Sequence, residues 1–268
     1  MQDINARGLV LLGCGKMGSA MLAGWLAQGV EPGAVHVLEP APSDWLRGTG
    51  VQINTGLPPT PAVAVLAVKP QMMGTALSQL VALGDGDTLF LSIAAGTTLA
   101  RLADMLGSQS PIIRAMPNTP AAVGAGITAL IGNAHVSPTH LDQAQRLLSA
   151  VGQVVELENE AQMDAVTGLS GSGPAYVFHL IEAMAAAGVA QGLAPDLAMQ
   201  LARATVVGAA RLAEGSPDSA ATLRTNVTSP GGTTAAALAV LMDDAHGLPP
   251  LLARAIAAAT ARSKELAE

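Results

Sequence analysis

The chain has 268 residues, half of them hydrophobic and only 2% aromatic, with a formal net charge of −7. That length accommodates one large domain or two ordinary ones around a sizeable core. The acidic balance and the lack of a Lys/Arg run argue against nucleic acid and anionic membranes as partners.

Residues 1–157 alternate strand-like and helix-like segments. Short apolar runs at 8–13, 35–39, 62–68, 88–93 and 112–116 end in Gly, Pro or polar residues, with helical patterns at 17–28, 71–83 and 99–106. Alternation of this kind predicts parallel βαβ units. Runs at 127–131 and 154–157 are further strand candidates. Between them Ser137 and Pro138 supply an N-cap and an N1 proline for a helix through residue 150. Beyond 158 the strand signals stop, and helices are expected over 160–168, 174–191, 195–213, 234–245 and 249–266. The polar stretch 156–162 is the expected junction. The sequence therefore predicts an α/β chain in two parts: a doubly wound Rossmann-type domain over 1–157 and an all-helical domain over 158–268.

The first strand runs into Gly13-Cys14-Gly15-Lys16-Met17-Gly18 and then a helix. Gly13 permits the tight turn, Gly15 lets the backbone approach a pyrophosphate, and Gly18 lets helix pack on strand. Phosphates would sit near the N–H groups of Lys16 and Met17 at the helix start. Glu39 closes the second strand, where an acid hydrogen-bonds the adenosine ribose and disfavours the extra phosphate of NADP. Arg47 is near enough in sequence to leave NADP open, so NADH and NADPH both stand as cofactors. The next run ends Ala67-Val68-Lys69-Pro70 on the ligand-binding edge. Lys69 there is either a cofactor contact or a solvated strand-end lysine. Ile93-Ala94-Ala95-Gly96 follows the run at 88–93, and its small residues leave room for a nicotinamide.

The helical part carries Thr228-Ser229-Pro230-Gly231-Gly232-Thr233-Thr234. Two glycines free the backbone, a proline stiffens the turn and threonines open the next helix. Unpartnered N–H groups in such a turn suit a small anion such as a carboxylate. The helix over 174–191 has Glu182 as its one charge and is apolar nearly all round, which predicts burial, either against a second subunit or centrally within one chain.

Other chemistries find little support. The five histidines, His36, His135, His140, His179 and His246, have no metal-ligand spacing, and no metal is expected. Gly168-Leu169-Ser170-Gly171 does not fit a hydrolase elbow. Cys14 is alone and cannot form an internal disulfide, as suits a reducing, cytoplasmic setting. The run 9–12 is too short for a signal peptide. The stretch 183–213, broken by Gln191, Pro195, Asp196 and Arg203, falls short of the ~20 apolar residues of a membrane span.

These motifs in order resemble the Δ1-pyrroline-5-carboxylate reductase family over essentially the whole chain. The residues that carry the resemblance are Gly13–Gly18, Ala67-Val68-Lys69-Pro70-Gln71, Ser92–Gly96 and Ile113-Arg114-Ala115-Met116-Pro117-Asn118-Thr119-Pro120. The two most specific pieces are Thr167-Gly168-Leu169-Ser170-Gly171-Ser172-Gly173-Pro174-Ala175-Tyr176 and Thr228–Thr234. The resemblance implies hydride transfer from NAD(P)H to the imine carbon of pyrroline-5-carboxylate, giving L-proline. It implies a homodimer interlocked through the helical domain, with decamers as a further assembly. It places the substrate carboxylate on Ser229, Gly231 and Gly232, the ring nitrogen on Thr234 as the catalytic residue, and Thr233 in the same pocket. Glu160 matches a substrate-site acid, and Asn54 and Asn226 match cofactor contacts.

Two departures from the family are visible. Many relatives place a serine just after the second strand, suited to the NADP phosphate, whereas this chain reads Glu39-Pro40-Ala41-Pro42-Ser43. The segment 214–225 is slightly longer than usual, which alters the rim of a site more cheaply than its stability. A β-hydroxyacid dehydrogenase would need a lysine after Gly171-Ser172-Gly173, and 174–200 contains none. A reductase of another cyclic imine and a non-catalytic nucleotide sensor remain as alternatives.

Overall fold

The computed structural model describes residues 2–267. Eight strands, β1 (Leu9–Leu12), β2 (Val35–Leu38), β3 (Gln52–Ile53), β4 (Val63–Leu66), β5 (Leu89–Ser92), β6 (Ile112–Met116), β7 (Gly126–Gly132) and β8 (Gly152–Glu156), form one sheet. Its order is β3-β2-β1-β4-β5-β6-β7-β8. All neighbours are parallel except β6 and β7. Strand order reverses between β1 and β4, the switch point at which doubly wound sheets bind ligands.

The central strands β1, β4 and β5 are buried on both faces, so their apolar runs are continuous rather than alternating, whereas β2 alternates and the edge strands β3 and β8 are only partly covered. Leu9 and Leu11 join Met21, Trp25, Val63 and Leu147 on one side. Val10 and Leu12 join Leu66, Phe90, Leu102 and Leu106 on the other. The Trp25 indole N–H donates to the Leu147 carbonyl at 2.8 Å inside the first of these layers. It ties helix Lys16–Ala27 to helix Pro138–Ser149.

By packing, the chain divides into residues up to Gly171 together with those from Ala259 onward, and a second unit, Ser172–Ala258. The expectation from sequence put the division at 157/158, where strand signals end. Packing moves it because helix Gln162–Val166 and the π-helical turn Thr167–Gly171 associate with the sheet unit. The Ser263 hydroxyl donates to Asp164 at 2.7 Å within that unit. The second unit contains helices Gly173–Ala190, Pro195–Glu214, Ala220–Asn226 and Thr233–Leu241. Helices Gly173–Ala190 and Pro195–Glu214 meet where Gly188 faces Ala198, so closely that a Cβ on Gly188 would lie 3.3 Å from the Ala198 Cβ.

Several expectations need correction. β3 has two residues and was not anticipated. The segment 71–83 is not one helix but a short helix, Met73–Leu77, flanked by 3₁₀ turns. Part of 214–225, expected as loop, is helix Ala220–Asn226, capped by the Ser219 hydroxyl, which accepts the Thr222 N–H. Of the two kinds of burial open to helix Gly173–Ala190, central burial within one chain is not found: only Ala185 is buried in the single chain. The stretch 183–213 falls short of a membrane span, as expected, but among the described residues Gln162–Ala190, which was not singled out from sequence, is long and apolar enough to cross one by length and composition alone.

Candidate active site

The Gly13–Gly18 turn leaves β1 at the switch point. Gly13 has φ 89°, and its N–H donates to the Leu38 carbonyl at 2.8 Å. A Cβ on Gly13 would lie 2.8 Å from Val68 Cγ1, and one on Gly18 would lie 2.6 Å from the Gly13 carbonyl oxygen. Gly15 faces open space. The turn is packed on two sides and clear on the third, and the third is where helix Lys16–Ala27 starts with no side-chain cap. The first N–H groups of a helix lack acceptors, so Lys16 and Met17 stand where a pyrophosphate would find donors. The dinucleotide therefore fits this turn by its glycines and its uncapped helix end.

Glu39, directly after β2, accepts the Cys14 N–H at Oε2 (2.8 Å) and the Ala41 N–H at Oε1 (3.0 Å). Asn54, at φ 52°, returns to it: its Oδ1 accepts the Glu39 N–H at 2.9 Å and its Nδ2 donates to the Glu39 carbonyl at 2.8 Å. The left-handed backbone at Asn54, uncommon for a residue with a Cβ, turns the amide to face Glu39. The pair borders a cavity of about 450 Å³, lined among others by Leu12, Pro40, Val68, Gln71 and Thr75. Burial, helped by the Glu39 carboxylate, pushes the Cys14 thiol up to about 11.

Ala67 and Val68 are half-buried after β4, and the Ala67 N–H donates to the Leu12 carbonyl. Lys69 and Pro70 are exposed. After β5, Ala94 is buried, Ile93 and Ala95 are partly so, and Gly96 turns at φ 73°. A Cβ on Gly96 would lie 3.0 Å from the Leu266 carbonyl oxygen, so this turn has room only for glycine.

Glu160 is not free in the first unit. Its Oε1 accepts from the buried Arg114 guanidinium at 2.7 Å and from the Leu99 N–H at 2.8 Å. Leu99 begins helix Leu99–Leu106, so the carboxylate joins β6 to the start of the helix that follows the Ile93–Gly96 turn. The sequence signal for this joint was an arginine inside the apolar strand Ile112–Met116, and its role was missed. Asn118 makes a second tie: its Nδ2 donates to the Ser170 hydroxyl at 3.3 Å, and its Oδ1 accepts the Ile127 N–H at 3.0 Å. Gly171 ends the π turn against Met116, where a Cβ would lie 2.6 Å from Met116 Cε.

The second unit holds the other expected residues. Asn226 ends helix Ala220–Asn226 and is exposed. The Thr228 hydroxyl donates to the Arg224 carbonyl, and the Gly232 N–H donates to the Ser229 carbonyl at 3.0 Å. Gly231 has φ 70°, and Gly232 caps helix Thr233–Leu241 with backbone only. Thr233 and Thr234 thus occupy the first turn, at the positive end of the helix dipole. Nucleotide-turn residues and Glu160 belong to one unit; Asn226, Ser229, Gly231, Gly232, Thr233 and Thr234 belong to the other. Among the described residues no group of His, Cys, Asp and Glu is arranged to hold a metal.

Comparison with known proteins gives consistent matches along the chain. Residues 160–266 match the model described as pyrroline-5-carboxylate reductase dimerisation, and residues 9–96 match NADP oxidoreductase, coenzyme F420-dependent. A pyrroline-5-carboxylate reductase of Pseudomonas aeruginosa is 41% identical over 97% of both chains. One from Synechocystis is 43% identical over 96% of this chain and 97% of its own. Among solved structures, a pyrroline-5-carboxylate reductase from Coxiella burnetii superposes with a TM-score of 0.89 at 35% identity, covering 98% of this chain and 99% of its own. The Plasmodium falciparum pyrroline carboxylate reductase with NADP bound superposes with a TM-score of 0.83 at 29% identity, over 97% and 98% of the two chains.

Proposed function

The chain belongs to the pyrroline-5-carboxylate reductase family, and we propose that it carries out that reaction with the residues placed above in the following roles. The protein is an NAD(P)H-dependent oxidoreductase that reduces L-1-pyrroline-5-carboxylate to L-proline, the closing step of proline biosynthesis. The reduced nicotinamide, when bound, supplies the hydride. A protonated cyclic imine is already a good electrophile, so the protein needs no strong acid. Its work is to position the ring and exclude water.

Gly13–Gly18 hold the pyrophosphate, with the N–H groups of Lys16 and Met17 on its side of the turn, while the Cys14 N–H is held by Glu39. Glu39, fixed by Asn54, takes the adenosine ribose. Ala67, Val68, Lys69 and Pro70 line the cofactor edge, Ile93–Ala95 form the nicotinamide wall, and Asn226 is a further cofactor contact. Ser229, Gly231 and Gly232 receive the substrate carboxylate, and Thr233 lines the pocket. Thr234 hydrogen-bonds the ring nitrogen and orients the imine carbon. Glu160 acts as a positioning residue: held by Arg114, its carboxylate accepts the Leu99 N–H and fixes the helix start behind the Ile93–Ala95 wall.

The observation that most supports these roles is the pair of uncapped helix starts, at Lys16 and at Thr233, each preceded by glycine. They suit two anions of different size. The matched dimerisation region makes the protein a homo-oligomer. A dimer through the second unit, decamers built from it and a cytoplasmic setting complete the proposal. The deciding experiment follows consumption of NADH and NADPH with pyrroline-5-carboxylate. Turnover with either supports the reading. Cofactor binding without turnover overturns it in favour of another cyclic imine or a nucleotide sensor.

A further inference from the structure

We propose that Glu39 makes this chain selective for NADH over NADPH, an inference that rests on the dinucleotide site above. A ribose 2′-phosphate needs hydrogen-bond donors and positive charge where it lands. The turn after β2 offers neither. Pro40 and Pro42 have no N–H. The Ala41 N–H is taken by Glu39 Oε1, and the Cys14 N–H by Oε2. Ser43, the one hydroxyl of the turn, caps helix Asp44–Arg47, its Oγ accepting the Leu46 N–H at 3.2 Å. The Asn54 amide is engaged through both its polar ends with the Glu39 backbone. Among the described residues, no lysine or arginine lines the cavity that Glu39 borders.

The carboxylate is therefore the dominant charge on this side of the cavity, held in place by two N–H groups. Each carboxylate oxygen accepts one of these bonds and keeps a further lone pair. That remaining capacity matches the two donating hydroxyls of an unphosphorylated ribose. A phosphate there would meet like charge with no lysine or arginine in the cavity lining. The NADP oxidoreductase match over residues 9–96 and the NADP held by the Plasmodium falciparum relative follow the general fold. The Glu39 turn separates this chain from that cofactor choice.

The test is direct binding, read without substrate. Purified protein is titrated with NADH and with NADPH in parallel by nicotinamide fluorescence, for the native chain, Glu39→Gln and Glu39→Ser. The native chain should bind NADH at least ~10-fold more tightly, the order set by one unscreened like-charge contact. Glu39→Gln keeps the shape and loses the charge, so the gap should narrow, and it should narrow further in Glu39→Ser. Equal native affinities overturn the proposal, as does a preference that survives Glu39→Gln undiminished. If the variants fail to fold, the native ratio alone decides. Binding of neither nucleotide overturns it together with the dinucleotide site. Absent turnover of pyrroline-5-carboxylate with NADH still preferred would sink the reductase reading and leave this one intact.

Discussion

Thr234 and Cys14 show how unequal two side chains at helix starts can be. Thr234 offers a hydroxyl in the first turn of a backbone-capped helix. Thr234→Ala should cost about 1–3 kcal/mol of transition-state binding, or ~5- to 150-fold in kcat/KM, the order of one buried hydrogen bond. Unchanged steady-state kinetics would remove Thr234 from the mechanism. Cys14 is the opposite case. Its thiol is held up at about 11, first by burial and then by Glu39, and the thiolate is the reactive form. Alkylation by iodoacetamide should stay slow through pH 9 and rise only beyond it. A reactivity midpoint near the ordinary thiol value of about 8.5 would contradict the burial of Cys14 beside Glu39. Glu39 itself was legible as a strand-end acid. What sequence could not show is that Asn54, fifteen positions later, locks it, because the left-handed turn that aims the amide leaves no composition signal.

At the scale of elements, the long strands were legible because a strand buried on both faces reads as an unbroken apolar run. β3 was not, since two residues make no run, and the reversal at β7 was not, since direction depends on where the connection goes. The Arg114–Glu160 joint was equally hidden, its partners standing 46 positions apart. Removing the guanidinium in Arg114→Met should destabilise the fold by about 2–3 kcal/mol. That is less than the 3–5 kcal/mol of a fully buried pair, because Glu160 keeps 29% side-chain exposure. A urea midpoint unmoved by the substitution would show the joint to be ornamental.

The cap of helix Pro138–Ser149 was anticipated at Ser137 and Pro138, but the reply from His140 was not. The His140 N–H donates to the Ser137 hydroxyl, and its Nδ1 accepts the Ser137 N–H. Burial lowers the His140 pKa from 6.5, Arg7 adds to the fall, and Asp87 opposes it. The unfolded chain therefore binds this proton more readily. The contribution is complete above pH 6.5 and is lost as pH falls through the depressed folded value. Thermal melts across that window should fall less steeply in His140→Gln. Parallel profiles would refute the linkage.

At the scale of the whole molecule, the second unit leaves its apolar side chains uncovered in a single chain. Phe178 is 62% exposed and Val240 72%, which an isolated protein of this composition does not tolerate over a broad face. The same pattern gives Gln162–Ala190 its membrane-like composition. Phe178→Glu should therefore shift the protein toward monomer in sedimentation velocity at micromolar concentration. An unaltered sedimentation coefficient would place the contact elsewhere. The sequence indicated an all-apolar helix, but that its own chain leaves it uncovered could be learned only from the packing.

The return of the last residues to the first unit carries a consequence for synthesis. The sheet and its glycine turn emerge from the ribosome early, and domains tend to condense in that order. Yet the Leu266 carbonyl that closes on Gly96, and the Ser263 hydroxyl that satisfies Asp164, belong to residues made about a hundred or more positions later. The nucleotide unit is thus spliced from both ends of the chain. Until residues 263–266 have left the ribosome, the Ile93–Gly96 turn lacks its backing and Asp164 its hydroxyl partner, so the sheet unit cannot close fully before those residues emerge.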